Sequence, residues 1–195
     1  VLNELKRFEE ALVSYDQAIS INPNYGDAFN NRGIVLNELK RFEEALVSYD
    51  QAIVIEPKFA QAYYNRGIVL QALKRFDESL VSYDQAISLN PNYVNAYNNK
   101  GIVLKKLELF DKALAVYDKA ISRVPNCAKI YYNQGKTLQE LNRHDEAIAS
   151  YDQAIAIDHN YLDAYNNLGN TLQEIKQFDK ALANYNHVIT LKPEY

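Results

Sequence analysis

The chain has 195 residues, 48% of them hydrophobic and 24% charged, with a formal net charge of −4. That balance is ordinary for a folded chain and argues against nucleic acid as a partner, since phosphate-tracking surfaces carry a basic footprint. No apolar run approaches the roughly 18 residues of a membrane span. The single cysteine, Cys127, allows no internal disulfide and fits a reducing compartment, so an intracellular, cytoplasmic location is the expectation.

The chain opens on VLNELKRF, which lacks the form of a signal peptide. Residues 1–19 instead repeat residues 35–53 letter for letter, so the expectation is a fragment that starts inside a repeat of a longer array. The period is 34: Gly33 falls on Gly67, Gly101, Gly135 and Gly169, and Pro57 on Pro23, Pro91, Pro125 and Pro193. A fixed period of this size is the signature of stacked structural repeats. With Gly26 as position 1, full units cover 26–59, 60–93, 94–127, 128–161 and 162–195, and residues 1–25 supply positions 10 to 34 of a partial unit. The expectation is one domain spanning 1–195.

Each full unit reads as two helices, the first over positions 2 to 14 and the second over positions 18 to 30. Leu36, Leu39, Phe42, Ala45, Leu46, Tyr49, Ala52 and Ile53 recur at helical, not alternating, spacing. Asn24, Asn92, Asn126 and Asn160 are candidate caps for the next first helix. Glu9, Glu43, Asp77, Asp111, Asp145 and Asp179 open the second helices, where the helix dipole favours acids. Lys40-Arg41 and Lys74-Arg75 are read as closing the first helices, where it favours cations. The prolines sit just past the second helices, which they cannot continue.

A glycine inside a helix costs about 1 kcal/mol relative to alanine. Its recurrence at position 8 implies a close approach, with Ala45, Ser79, Ala113, Ala147 and Ala181 as the matching small surface. The 16 tyrosines and 7 phenylalanines fall at only five repeat positions, 4, 5, 17, 24 and 34, which is the order of a core and its edges.

Small residues at positions 8, 20 and 27, aromatics at 4, 17 and 24, leucine at 11 and proline at 32 together resemble the tetratricopeptide repeat over the whole chain. The resemblance implies an all-α fold, a right-handed superhelical solenoid of antiparallel helix pairs whose first helices line a concave groove. It also implies an interaction module that takes a protein or peptide ligand there. The chain departs from the pattern at Val188 and, between 123 and 159, at Arg123-Val124, Cys127, Ile130, His144 and His159. A junction adapted for binding explains that cluster, and so does drift between units coupled only to their neighbours.

No catalytic constellation is legible, and no cofactor is expected. His144, His159 and His187 lack ligand-spaced partners for a metal, and Cys127 lacks a neighbouring base. The informative residue is asparagine at position 6 of every full unit: Asn31, Asn65, Asn99, Asn133 and Asn167. Asparagine is mediocre inside helices, whereas its amide can pair with a peptide's C=O and N–H whatever that peptide's side chains are. The row is similar to the asparagine ladder of the repeats preceding O-linked N-acetylglucosamine transferases, which holds an extended polypeptide. The alternative is that these amides bridge neighbouring helices.

Around the row lie Ile34, Ile68 and Ile102 at position 9, and Gln61, Asn95 and Lys129 at position 2. The isoleucines either line the groove or pack between helices. Only Lys129 beside Asn133 resembles the family's carboxylate clamp. The leading expectation is a scaffold holding an extended segment. The alternatives are the targeting arm of a larger enzyme, such as an O-linked glycosyltransferase, and end-to-end self-association through the face of the last helix, about Asp179 to Leu191. An RNA-reading array is disfavoured by acids at Asp27, Glu38, Glu140, Asp163 and Glu174.

Overall fold

The computed structural model describes residues 2–192, with side chains from Arg7 onward; Pro193 and Tyr195, the last of the periodic prolines and position-34 aromatics, lie outside them. Among the described residues there are eleven helices and no strand: α1 Leu2–Ile21, α2 Gly26–Glu38, α3 Phe42–Ile55, α4 Ala60–Ala72, α5 Phe76–Leu89, α6 Val94–Lys106, α7 Phe110–Arg123, α8 Ala128–Glu140, α9 His144–Ile157, α10 Leu162–Glu174 and α11 Phe178–Leu191. The chain is an all-α repeat solenoid, divided into two compact units at Ala96/Tyr97.

In the first unit α2 packs on α3 and α4 on α5, with α1 against α2 and α3 against α4. Its core holds Leu12, Leu36, Ala45, Leu46, Tyr49, Val69 and Leu70. In the second, α8 packs on α9 and α10 on α11, with α7 against α8 and α9 against α10. Leu114, Leu138, Ala147, Tyr151, Leu168, Leu172 and Ala181 form that core.

The position-8 glycine is explained by a tyrosine. A Cβ on Gly67 would lie 2.6 Å from Cε1 of Tyr83, and one on Gly33 2.6 Å from Cε1 of Tyr49. The position-24 ring therefore occupies the space a side chain would need. Position 20 adds a second contact, since the Ser79 hydroxyl donates to the Gly67 carbonyl at 2.8 Å.

Two local expectations are corrected. The residues directly before α2, α8 and α10 are Tyr25, Cys127 and Tyr161, and none makes a side-chain cap hydrogen bond. Asn24, Asn126 and Asn160 stand one residue too early to cap. In the turns, Asn22, Asn90 and Asp158 accept the backbone N–H two residues on, at 3.0–3.1 Å, an Asx turn.

Secondly, α2 and α4 carry no basic residue in their last turn. Lys40 and Lys74 sit beyond the helix at φ 61° and 60°, as do Glu108, Asn142 and Lys176 at 58–63°. The N–H of Arg41 then reaches the Leu36 carbonyl at 2.8 Å and that of Arg75 the Leu70 carbonyl at 2.8 Å. This is a Schellman closure made without glycine. Arg41 and Arg75 turn forward instead, each bidentate on the acid three residues later, Glu44 and Glu78, at 2.6–2.7 Å. Those hydrogen bonds hold the Glu44 and Glu78 carboxyls below their ordinary value.

Residues 1–19 and 35–53 are identical, yet α1 is continuous from Leu2 to Ile21.

Candidate functional site

First helices in the same unit touch each other, α2 with α4 and α8 with α10, and the position-6 asparagines sit along these contacts. Asn65 Nδ2 donates to Asn30 Oδ1 at 3.0 Å, and Asn133 Nδ2 to Asn98 Oδ1 at 2.5 Å. Asn167 Nδ2 donates to the Tyr132 hydroxyl at 3.1 Å. Each rung joins position 6 of one repeat to position 5 of the repeat before it, 35 residues apart. A second row repeats this offset: Lys105 Nζ meets Glu140 Oε1 at 2.7 Å, and Gln139 Nε2 donates to Glu174 Oε1 at 3.1 Å.

Position 5 was missed as a functional partner because it alternates as Asn30, Tyr64, Asn98, Tyr132 and Asn166; both residue types supply an acceptor. The signal was present in that alternation. The asparagines at this position that form rungs, Asn30 and Asn98, are buried.

The rungs do not exhaust the amides. An asparagine has two N–H donors and an oxygen with two lone pairs. Asn65 is 8% exposed, and its oxygen also accepts from Gln61 Nε2 at 2.9 Å. Asn31, Asn99, Asn133 and Asn167 are half-buried. The Asn31 oxygen accepts from Asn30 at 3.4 Å and the Asn99 oxygen from Asn98 at 3.2 Å. The Asn133 side-chain oxygen has no partner among the described residues.

Around them Ile34 is exposed and Ile68 and Ile102 are half-buried. Gln61, Asn95 and Lys129 are exposed. Gln61 accepts from the Tyr93 hydroxyl at 2.5 Å. The Tyr93 ring lies 4.8 Å from that of Tyr64, and burial, with Tyr64 alongside, pushes its phenol up to about 12. The equivalent pair, Tyr132 and Tyr161, has centroids 5.0 Å apart, and the Tyr161 phenol is likewise pushed up to about 12, mainly by burial.

The second helices present a different set of cross-repeat contacts. Arg32 donates from Nε to Asp16 at 2.7 Å and from Nη1 to the Ser48 hydroxyl at 2.8 Å; Arg66 does the same with Asp50 and Ser82 at 2.7 and 2.8 Å. Gln134 takes this place between Asp118 and Ser150 at 2.7 and 3.1 Å.

His144 Nδ1 lies 3.4 Å from Glu174 Oε2, and the His187 ring is 4.3 Å from that of Tyr165. Among the described residues, no three His, Cys, Asp or Glu side chains converge as a metal site would require, and no helix is long and apolar enough to cross a membrane. Cys127 is a half-buried free thiol at the start of α8.

The sequence profile described as TPR repeat matches residues 1–39, 35–74 and 135–176, and that described as tetratricopeptide repeat matches 60–93, 94–127 and 162–195. No curated protein sequence matches the chain. A solved structure titled YrrB, "a TPR protein with an unusual peptide-binding site", is 25% identical, with a TM-score of 0.70 over 93% of each chain. MamA from Desulfovibrio magneticus aligns at TM-score 0.75 and 22% identity over 86% of this chain and 95% of that one. PilF of Pseudomonas aeruginosa aligns at 0.75 and 17% over 91% and 78%; these last two show the fold alone. On its repeats and the profiles that cover them, the chain belongs to the tetratricopeptide repeat family, whose members are protein-interaction scaffolds and typically not catalysts.

Proposed function

We propose that the chain holds an extended partner segment along its first-helix face, using the position-6 amides as sequence-independent hydrogen-bonding points. The observation that carries this is the row itself: five asparagines in register, four of them half-buried, with an open amide oxygen at Asn133. The rungs act as the support. By fixing one amide edge against position 5, they leave the other edge oriented at no further entropic cost, which is how a preorganised site gains affinity. Ile34, Ile68 and Ile102 supply apolar contact beside the amides, while Gln61, Asn95 and Lys129 supply polar contact. The peptide-binding description of the YrrB structure supports the same reading.

The test begins with a segment selected from a random peptide display library on the full chain. Asn133→Ala/Asn167→Ala is expected to weaken that segment about tenfold or more, as the loss of two amide contacts implies. Asn98→Ala, which removes a rung but keeps the groove amide, is expected to weaken it much less. Equal affinity for wild type and the double variant would refute the amide role.

A second reading rests on α11. Leu182 is 58% exposed, whereas among its repeat equivalents Leu12, Leu46 and Leu114 are 5–8% exposed and Leu80 and Ile148 are half-buried. Phe178 and Ile189 are exposed in the same way. An apolar face of this kind favours self-association, and we infer that chains associate through it. Light scattering across a concentration series should show growing mass that Leu182→Glu abolishes; a strict monomer at every concentration would contradict it.

A further inference from the structure

The second-helix face carries a site that the first-helix reading does not use. In the first unit, Asp16 with Ser48, and Asp50 with Ser82, each clasp a guanidinium from position 7, Arg32 or Arg66. A second arginine reaches the acid at position 18 of the preceding repeat: Arg41 lies 3.7 Å from Glu9, and Arg75 3.7 Å from Glu43. At the junction of α9 with α10 and α11 the acids remain, as Asp152 and Asp145, but both arginines are gone. Leu168 stands at position 7 and Gln177 at position 16.

What replaces them is a cavity. The space bounded by Asp145, Asp152, Leu168, Lys180 and Asn184 measures about 460 Å³. Its equivalent one repeat earlier, which Gln134 crosses from Asp118 to Ser150, measures about 280 Å³. Asp152 makes no ion pair or hydrogen bond among the described residues. Burial raises its carboxyl above the ordinary value, and Lys180 only partly offsets this. Asn184 donates its Nδ2 to the Lys180 carbonyl at 2.9 Å, leaving Oδ1 as the acceptor at the position where Ser48 and Ser82 serve Arg32 and Arg66.

We propose that this cavity binds an arginine side chain of a partner protein, Asp152 and Asn184 receiving the guanidinium as Asp50 and Ser82 receive Arg66. The repeat itself shows the ligand chemistry, since the same two positions hold a guanidinium twice within this chain. Arginine is favoured over lysine because its planar fork reaches two acceptors at once, whereas an ammonium is a point charge. Leu168 and Ile148 provide the apolar wall for the methylene stem. Lys180 is the opposing charge and keeps the site weak and selective.

The test uses the isotopically labelled full chain and the blocked tripeptide acetyl-Gly-Arg-Gly-amide, followed by two-dimensional NMR. Saturable shifts are expected around Leu168, Lys180 and the Asn184 side-chain amide, with a Kd of about 10 mM for so small a probe. The citrulline tripeptide, isosteric but neutral, should shift nothing. Asp152→Asn, which keeps the size of the side chain and removes its charge, should weaken binding about tenfold, and Lys180→Gln should tighten it. Leu168→Arg, which restores the internal arginine, should abolish it. Shifts by citrulline equal to those by arginine, unchanged binding in Asp152→Asn, or no saturable shift in the wild type would each overturn the proposal. None of these outcomes depends on the first-helix reading.

Discussion

Replacing Gly67 with alanine sets two known effects against each other. Helix propensity alone favours alanine by about 1 kcal/mol. The new methyl would lie 2.6, 2.8 and 3.1 Å from Cε1, Cδ1 and Cζ of Tyr83, well inside van der Waals contact. The ring cannot step aside cheaply: Tyr83 is fully buried, and its hydroxyl pairs with Gln71 Oε1 at 3.0 Å. Overpacking of this kind costs about 1–3 kcal/mol, and a pinned ring places it near the top, so the net expectation is a loss of about 1–2 kcal/mol. In a Tyr83→Leu background the ring edge is gone and the same glycine change should stabilise by about 0.5–1 kcal/mol. Urea unfolding followed by circular dichroism on the four proteins reads the sign in each background. Stabilisation of the wild-type background by Gly67→Ala would refute the ring as the reason for the glycine.

Three further outcomes follow from the geometry. Lys74→Gly relieves a left-handed lysine at φ 60° and should stabilise by about 0.5–1 kcal/mol in urea unfolding, whereas Asn142→Gly should change little because asparagine already tolerates that region. Arg66→Ala removes the link from α4 to Asp50 and Ser82 and should cost about 1 kcal/mol; no change would make the link incidental. Tyr93 and Tyr161 are raised from 10.0 to about 12, so the folded state binds more protons than the unfolded state between those values. Stability should therefore be intact below about pH 10 and fall as pH rises towards 12. Absorbance titration at alkaline pH, with urea midpoints at each pH, checks both the late tyrosines and the direction of the loss.

The helical hairpins and their core were legible because apolar spacing, the tyrosines and the glycine at position 8 all state the same packing. The closures were not. A left-handed residue is usually announced by glycine, and here the position reads Lys40, Lys74, Glu108, Asn142 and Lys176, of which only asparagine carries a local preference. Identical residues also take two structures, a continuous α1 and the α2–α3 turn. Among the candidate site residues, the register of asparagines was visible, but the rung partner was hidden in a position that alternates between amide and phenol. The loss of arginine at Leu168 and Gln177 was equally invisible until Arg32 and Arg66 showed what that position normally grips.

In the proposed function the first-helix amides keep a working edge while their other edge ties repeats together. The most direct measurement is a 15N-edited spectrum of the side-chain NH₂ groups, recorded with and without a library-selected segment. The prediction is a large shift at Asn133, with the Asn98 amide barely moving. Shifts confined to the second-helix face, with every position-6 amide unperturbed at saturation, would contradict it.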